Sequence, residues 1–153
     1  MQWLIDLITN PYLITSLSSW FIAQVLKVII NAIVNRKLSF ERLVGDGGMP
    51  SGHSATVASL TAFCALVHGA GSFEFAATFV LAIIVCHDAM GVRQETGKQA
   101  VILNEIINSF TVLTGEDLPE VKLKEFVGHT PIQVIAGILI GVINAFVMHG
   151  LLF

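Results

Sequence analysis

The chain is 153 residues long, 54% hydrophobic and only 12% charged, with a mean hydropathy of +0.78. A soluble domain carries about 25% charged residues, so half of the usual solvated surface is missing, and the composition reads as a membrane protein of one domain. A formal net charge of -3 and the lack of a basic stripe argue against a nucleic-acid partner.

In chain order, Gln2 to Thr9 is a short apolar segment that suits the membrane interface, with Trp3 as an anchor. The opening Met1-Gln2-Trp3 has no positive region ahead of an apolar stretch, so no cleaved signal peptide is expected. Asn10-Pro11 marks a helix entry. A bilayer-crossing helix needs roughly 20 mostly apolar residues, and four stretches qualify: about 12–34, 54–71, 73–90 and 131–153. Between the third and fourth lies a polar segment, 91–128. Within it Ala100, Leu103, Ile106, Ile107 and Phe110 repeat at helical spacing, which predicts an amphipathic helix over 99–113, followed by a loop at 115–120. The expected architecture is all-α: a single polytopic membrane bundle, residues 1–153, of about four crossing helices and one interfacial helix.

Alternation of the four spans sorts the charges. Call the side reached at the end of the first span side A. All eight Lys and Arg fall in A-side segments or near the A end of a span: Lys27, Arg36, Lys37, Arg42, Arg93, Lys98, Lys122 and Lys124. Two explanations compete, the positive-inside rule, which makes side A cytoplasmic and the membrane the cell (inner) membrane, and an anion site built from some of these cations. Cys64 and Cys86 lie inside apolar blocks and read as small hydrophobes. No His or Cys spacing suits a zinc site, and no metal or cofactor is expected.

The stretch that carries chemistry is Gly47-Gly48-Met49-Pro50-Ser51-Gly52-His53-Ser54-Ala55, at the entry of the second span. Pro50 suits a helix's first turn, and the glycines allow backbone to approach a ligand. The N–H groups of a helix start attract anions, while a histidine transfers protons near neutral pH. The bland reading is a serine N-cap at the membrane surface.

Pro50-Ser51-Gly52-His53 resembles the central signature of the type 2 phosphatidic acid phosphatases and vanadium haloperoxidases. With Asp88-Ala89-Met90-Gly91-Val92-Arg93, Gly97, Gln99-Ala100, Leu103-Asn104 and Gly128-His129-Thr130-Pro131, the chain resembles the divergent branch of that superfamily over nearly its full length. The resemblance implies a PAP2-like bundle and a membrane-embedded phosphatase acting on a lipid phosphate or diphosphate. Its substrate would be a phospholipid or isoprenoid phosphate, with the tail in the bilayer. By the same resemblance Ser51 and Gly52 hold phosphate with Lys27, Arg42 and Arg93. His53 is the general acid and His129 the nucleophile. Asp88 or Glu125 would orient or charge-balance His129, because Gln133 stands where the family has its orienting carboxylate. That glutamine, the loose spacing of the first block, and the long insertion between Arg93 and His129 motivate an alternative: a non-catalytic phosphate-lipid binding or transport protein that keeps the cradle. Four spans are fewer than the superfamily's six, so a homo-oligomer is expected, with Gly137 and Gly141 as a close helix contact.

Overall fold

The computed structural model describes residues 1–35, 48–114, 123 and 128–153, with backbone alone for Asn35, Arg93, Gln94 and Thr114. Six helices follow in order: α1 (Gln2–Ile8), α2 (Pro11–Asn35), α3 (Gly52–His68), α4 (Phe73–Met90), α5 (Val92–Thr114) and α6 (Pro131–Leu152). The described residues contain no strand, and the all-α bundle is as expected. Each apolar block of the sequence became a helix within a few residues of its expected bounds. Of these, α2 and α6, and a third stretch that begins with α4 at Phe73, are long and apolar enough to cross a membrane. Helix α3 has 17 residues, about 25 Å at 1.5 Å per residue. It packs against α2, α4 and α6 together, so its neighbours cover it.

The bundle is apolar outside and polar inside. On α2 the outward residues Leu13, Leu17, Phe21, Val25 and Ile29 recur every fourth position and are all exposed, as are Ile135, Leu139, Ile143 and Val147 on α6. The opposite face of α2 buries Thr15, Ser16, Ser19, Gln24, Lys27 and Asn31. Water would reward the reverse arrangement. Lipid tails supply no such reward, and helices there associate through close packing and interior hydrogen bonds.

Both devices are present. Helices α3 and α6 run parallel, their starts joined by the Ser51 N–H donating to the Gln133 carbonyl at 3.0 Å. A β-carbon on Gly137 would stand 2.4 Å from the Ser51 carbonyl oxygen, and one on Gly141 would stand 2.4 Å from that of Ala55. The two backbones therefore touch at four-residue steps along both helices. This corrects one expectation: the Gly137/Gly141 face is filled by α3 of the same chain and is not open to a second copy. Near the other end, buried Asn144 on α6 donates through Nδ2 to the Thr15 carbonyl (3.1 Å), Ser18 Oγ (2.9 Å) and Ser19 Oγ (2.7 Å) of α2. Beyond that knot an aromatic cluster closes the bundle. Tyr12 meets Phe63 edge-on at 5.2 Å and stacks on His68, while His149 stacks on Phe153.

Helix α5 starts at Val92, seven residues before the expected Gln99, and is parted from α4 by Gly91 alone. The apolar period begins only near Ala100, but the preceding Gln94, Glu95, Lys98 and Gln99 are good helix formers, and Lys98 pairs with Glu95 at 2.6 Å. Its buried stripe is Gly97, Ala100 and Asn104, whereas Ile102, Ile106, Phe110 and Leu113 are exposed, which suits an interfacial helix. Asn104 holds the backbone of Leu123 in both directions, donating to its carbonyl at 3.0 Å and accepting its N–H at 3.1 Å. The expected loop at 115–120 lies outside the described residues.

Three outcomes check this packing. Gly141→Ala should destabilise the detergent-solubilised protein by about 1–3 kcal/mol, the usual cost of overpacking. Gly150→Ala, which meets nothing within 4 Å, should leave the melting temperature unchanged. Asn144→Leu should cost about 1–2 kcal/mol in the same melt, the upper range for a hydrogen bond inside a membrane bundle.

Candidate functional site

The parallel pairing of α3 with α6 brings two helix starts to one end of the bundle. Each helix start behaves as roughly half a positive charge, because its first N–H groups lack intrahelical acceptors. Two such ends side by side favour an anion between or above them.

At the first start Ser51 is the N-cap and fully buried. Its Oγ accepts from the Ser54 N–H at 3.3 Å and from the Ser54 hydroxyl at 3.0 Å. A hydroxyl has two acceptor sites and one proton, so these bonds leave Ser51 its O–H to donate. Pro50 precedes the cap instead of opening the helix, as Gly52 is the first helical residue. The expected first-turn proline is found on α6, where Pro131 follows the Thr130 cap.

At the second start, the Gln133 side-chain carbonyl accepts the Thr130 N–H at 3.1 Å, half of a capping box. At the position where the family has its orienting carboxylate, this side chain thus caps the helix. Gly128 has φ of 93°, a region that side chains other than glycine rarely adopt. The turn it allows delivers the His129 N–H to the Ala89 carbonyl at 3.0 Å. That carbonyl belongs to the last turn of α4, where backbone acceptors lack helical donors. Asp88 is the residue before Ala89 and is half-buried, so a carboxylate shares the turn that anchors His129.

The consequence is convergence. His53, in the first turn of α3, and His129, just before α6, have ring centroids 6.1 Å apart with planes inclined at 54°. His129 is 3% exposed, and His53 is intermediate. From α2, Lys27 is buried at 3% exposure, one turn beyond Gln24, whose amide packs near Gly52. Ser51, Gly52, His53, His129 and Gln133 thus lie around the joined helix starts. Lys27 reaches the same end of the bundle along α2, and Asp88 reaches it along α4.

Not all sequence candidates can be located. Arg42 and Glu125 lie outside the described residues, and Arg93 stands in the first turn of α5 with its side chain undescribed. Arg36, Lys37, Lys122 and Lys124 also fall outside. No group of three or more metal-ligating side chains occurs among the described residues. His68 and His149 sit in the aromatic cluster at the opposite end. Sequence reasoning missed Gln24 and Trp20. Trp20 Cδ1 lies 3.3 Å from a β-carbon built on Gly52, and its spacing of seven residues from Lys27 was the available signal.

Gly128→Ala should cost about 1–2 kcal/mol, the penalty of forcing a side chain into left-handed backbone. The measurement is unfolding in a detergent–SDS titration. A variant as stable as the parent would mean that the turn is not held as described.

The family model described as "Divergent PAP2 family" matches residues 8–144. An uncharacterized membrane protein of Bacillus subtilis (strain 168), YuiD, is 41% identical over 152 residues, covering 94% of this chain and 96% of its own. No solved structure matches the chain. The chain belongs to the divergent PAP2 family and is a membrane protein.

Proposed function

We propose that this member of the divergent PAP2 family is a membrane-embedded phosphatase that hydrolyses a lipid phosphate or diphosphate through a two-histidine site. The observation that carries the reading is the 6.1 Å separation of the His53 and His129 rings at the paired helix starts. Two imidazoles so spaced can flank one tetrahedral group, with an attacking nitrogen about 3–3.5 Å from phosphorus on one face. A donor can then reach the leaving oxygen on the other.

The chemistry follows from those positions. An imidazole nitrogen of His129 forms a bond to phosphorus as the ester P–O bond breaks, and a His53 N–H protonates the departing oxygen. Water then attacks the phosphohistidine and gives its proton to the neutral His53. This releases phosphate and returns both rings to their starting states. Phosphoryl transfer needs little beyond alignment and neutralisation of the equatorial oxygens. Lys27, Arg42 and Arg93 would supply the cations, with the Ser51 hydroxyl and the Gly52 N–H as neutral donors. Asp88 is the candidate to balance a positive His129, since Gln133 is uncharged and its oxygen already accepts from Thr130. Burial of Lys27 on the inward face of α2 supports this reading, because cations within spanning segments commonly mark binding sites.

The lipid tail would stay in the bilayer, and the headgroup would enter at the end where the cations gather. By the positive-inside argument that end is cytoplasmic. A second reading, phosphate-lipid binding or transport without turnover, draws on the same Gln133 geometry, because the family's carboxylate is replaced by a helix cap.

Purified protein in mixed micelles should release phosphate from phosphatidate or isoprenyl diphosphate. His53→Ala and His129→Ala should each lower the rate by at least about 100-fold, the lower range for lost acid–base catalysis. Turnover retained in both variants contradicts the mechanism. Phosphate-lipid binding without turnover in the parent favours the second reading.

A further inference from the structure

The buried face of α2 carries a polar side chain that neither the helix caps nor the Asn144 knot uses. Gln24 is 7% exposed, and its Oε1 has no hydrogen-bond partner among the described residues. Its amide carbon lies 3.8 Å from where a β-carbon on Gly52 would stand. The amide therefore packs on the first residue of α3, at the positive end of that helix. Leaving a buried carbonyl without a donor costs about 1–3 kcal/mol, and such groups in native interiors are rare enough to require a reason.

A carbonyl oxygen is an acceptor only. Beside the start of α3, it is an acceptor that a fully deprotonated phosphate does not satisfy. It repels a bare phosphoryl oxygen and attracts an O–H or N–H.

We propose that Gln24 Oε1 accepts a hydrogen bond from the bound phosphate ligand, making the site selective for phosphates that present a donor beside their anionic oxygens. The proposal rests on the phosphate-site reading above. Two sources carry that chemistry: the P–OH of a monoanionic phosphate, and a hydroxyl on the lipid carbon chain next to the phosphorus. Gln24 lies about 4.5 Å, three residues of helical rise, farther from the site end of α2 than Lys27. A phosphate near Lys27 would therefore have its lipid linker at the level of Gln24, within reach of either donor.

The test is equilibrium binding to purified protein in phosphatidylcholine nanodiscs at mildly acidic pH, with three probes that resist hydrolysis. Hexadecylphosphonate carries a P–OH. Its monomethyl ester is equally charged but has none. The 2-hydroxyhexadecyl monomethyl ester restores a donor on the chain. The parent should bind at least one donor-bearing probe about tenfold tighter than the plain ester, the worth of one good hydrogen bond. Which probe gains identifies the source. Gln24→Met, close in shape, should abolish the preference while binding the plain ester at least as tightly as the parent does, which also reports that the variant folds. Equal losses on all three probes, or a preference that survives in the variant, would overturn the proposal. Failure of the parent itself to bind any probe would instead overturn the phosphate-site reading, and the proposal with it.

Discussion

Along α3 and α6 two backbones meet with no side chain between them, and the remainder of the described structure is arranged around that contact. Because Gly137 and Gly141 lack side chains, the carbonyls of Ser51 and Ala55 can lie where β-carbons would otherwise be. The helices are parallel, so the contact aligns their starts as well as their sides. Two positive helix ends held side by side repel each other, and an anion bound there relieves that repulsion. Close packing and the joining of two positive helix ends are thus one feature. Helix α2 completes the arrangement by laying its polar face against both, with Lys27 toward the shared start and the Asn144 hydrogen bonds near the far end. The lipid-facing stripes of Leu, Ile, Val and Phe contribute little to this specificity, since one tail-like surface in lipid resembles another.

The histidines owe their proximity to the same seam through two short devices. On α3, Ser51 caps the helix and sets His53 in its first turn. On α6, the turn at Gly128 swings His129 under the last turn of α4, where the Ala89 carbonyl takes its N–H. Neither ring is positioned by its own helix alone. A shift of α6 by one turn would break both the Ser51–Gln133 and the His129–Ala89 backbone bonds, so the seam, the cap and the histidine pair stand or fall together.

Much of the fold was legible because membrane helices announce themselves by length and hydropathy, and the four apolar blocks map onto α2, α3, α4 and α6. The motif at Pro50-Ser51-Gly52-His53 was legible for a related reason: Gly, Ser and His are conspicuous against apolar surroundings. What could not be read depends on which way a helix faces. Gly137 and Gly141 were correctly recognised as packing residues, but spacing alone does not tell an internal partner from a second copy. Asn144 and Gln24 are each a polar residue within an apolar span, and only the three-dimensional contacts separate a hydrogen-bonded knot from an acceptor lacking a described donor. The start of α5 was missed because its first turns are polar on all sides and carry no period. Gln133 occupies the place of a catalytic carboxylate in the sequence pattern, yet helix geometry turns its oxygen back to Thr130.

The measurement that bears most directly on the central claim is an experimental structure of the protein with orthovanadate bound, in detergent or lipid. One tetrahedral or trigonal-bipyramidal oxyanion is expected at the paired starts of α3 and α6, contacted by Ser51 and Gly52 and flanked by the rings of His53 and His129. Vanadate bound elsewhere, or histidines turned toward unrelated surroundings with the α3–α6 seam intact, would contradict it.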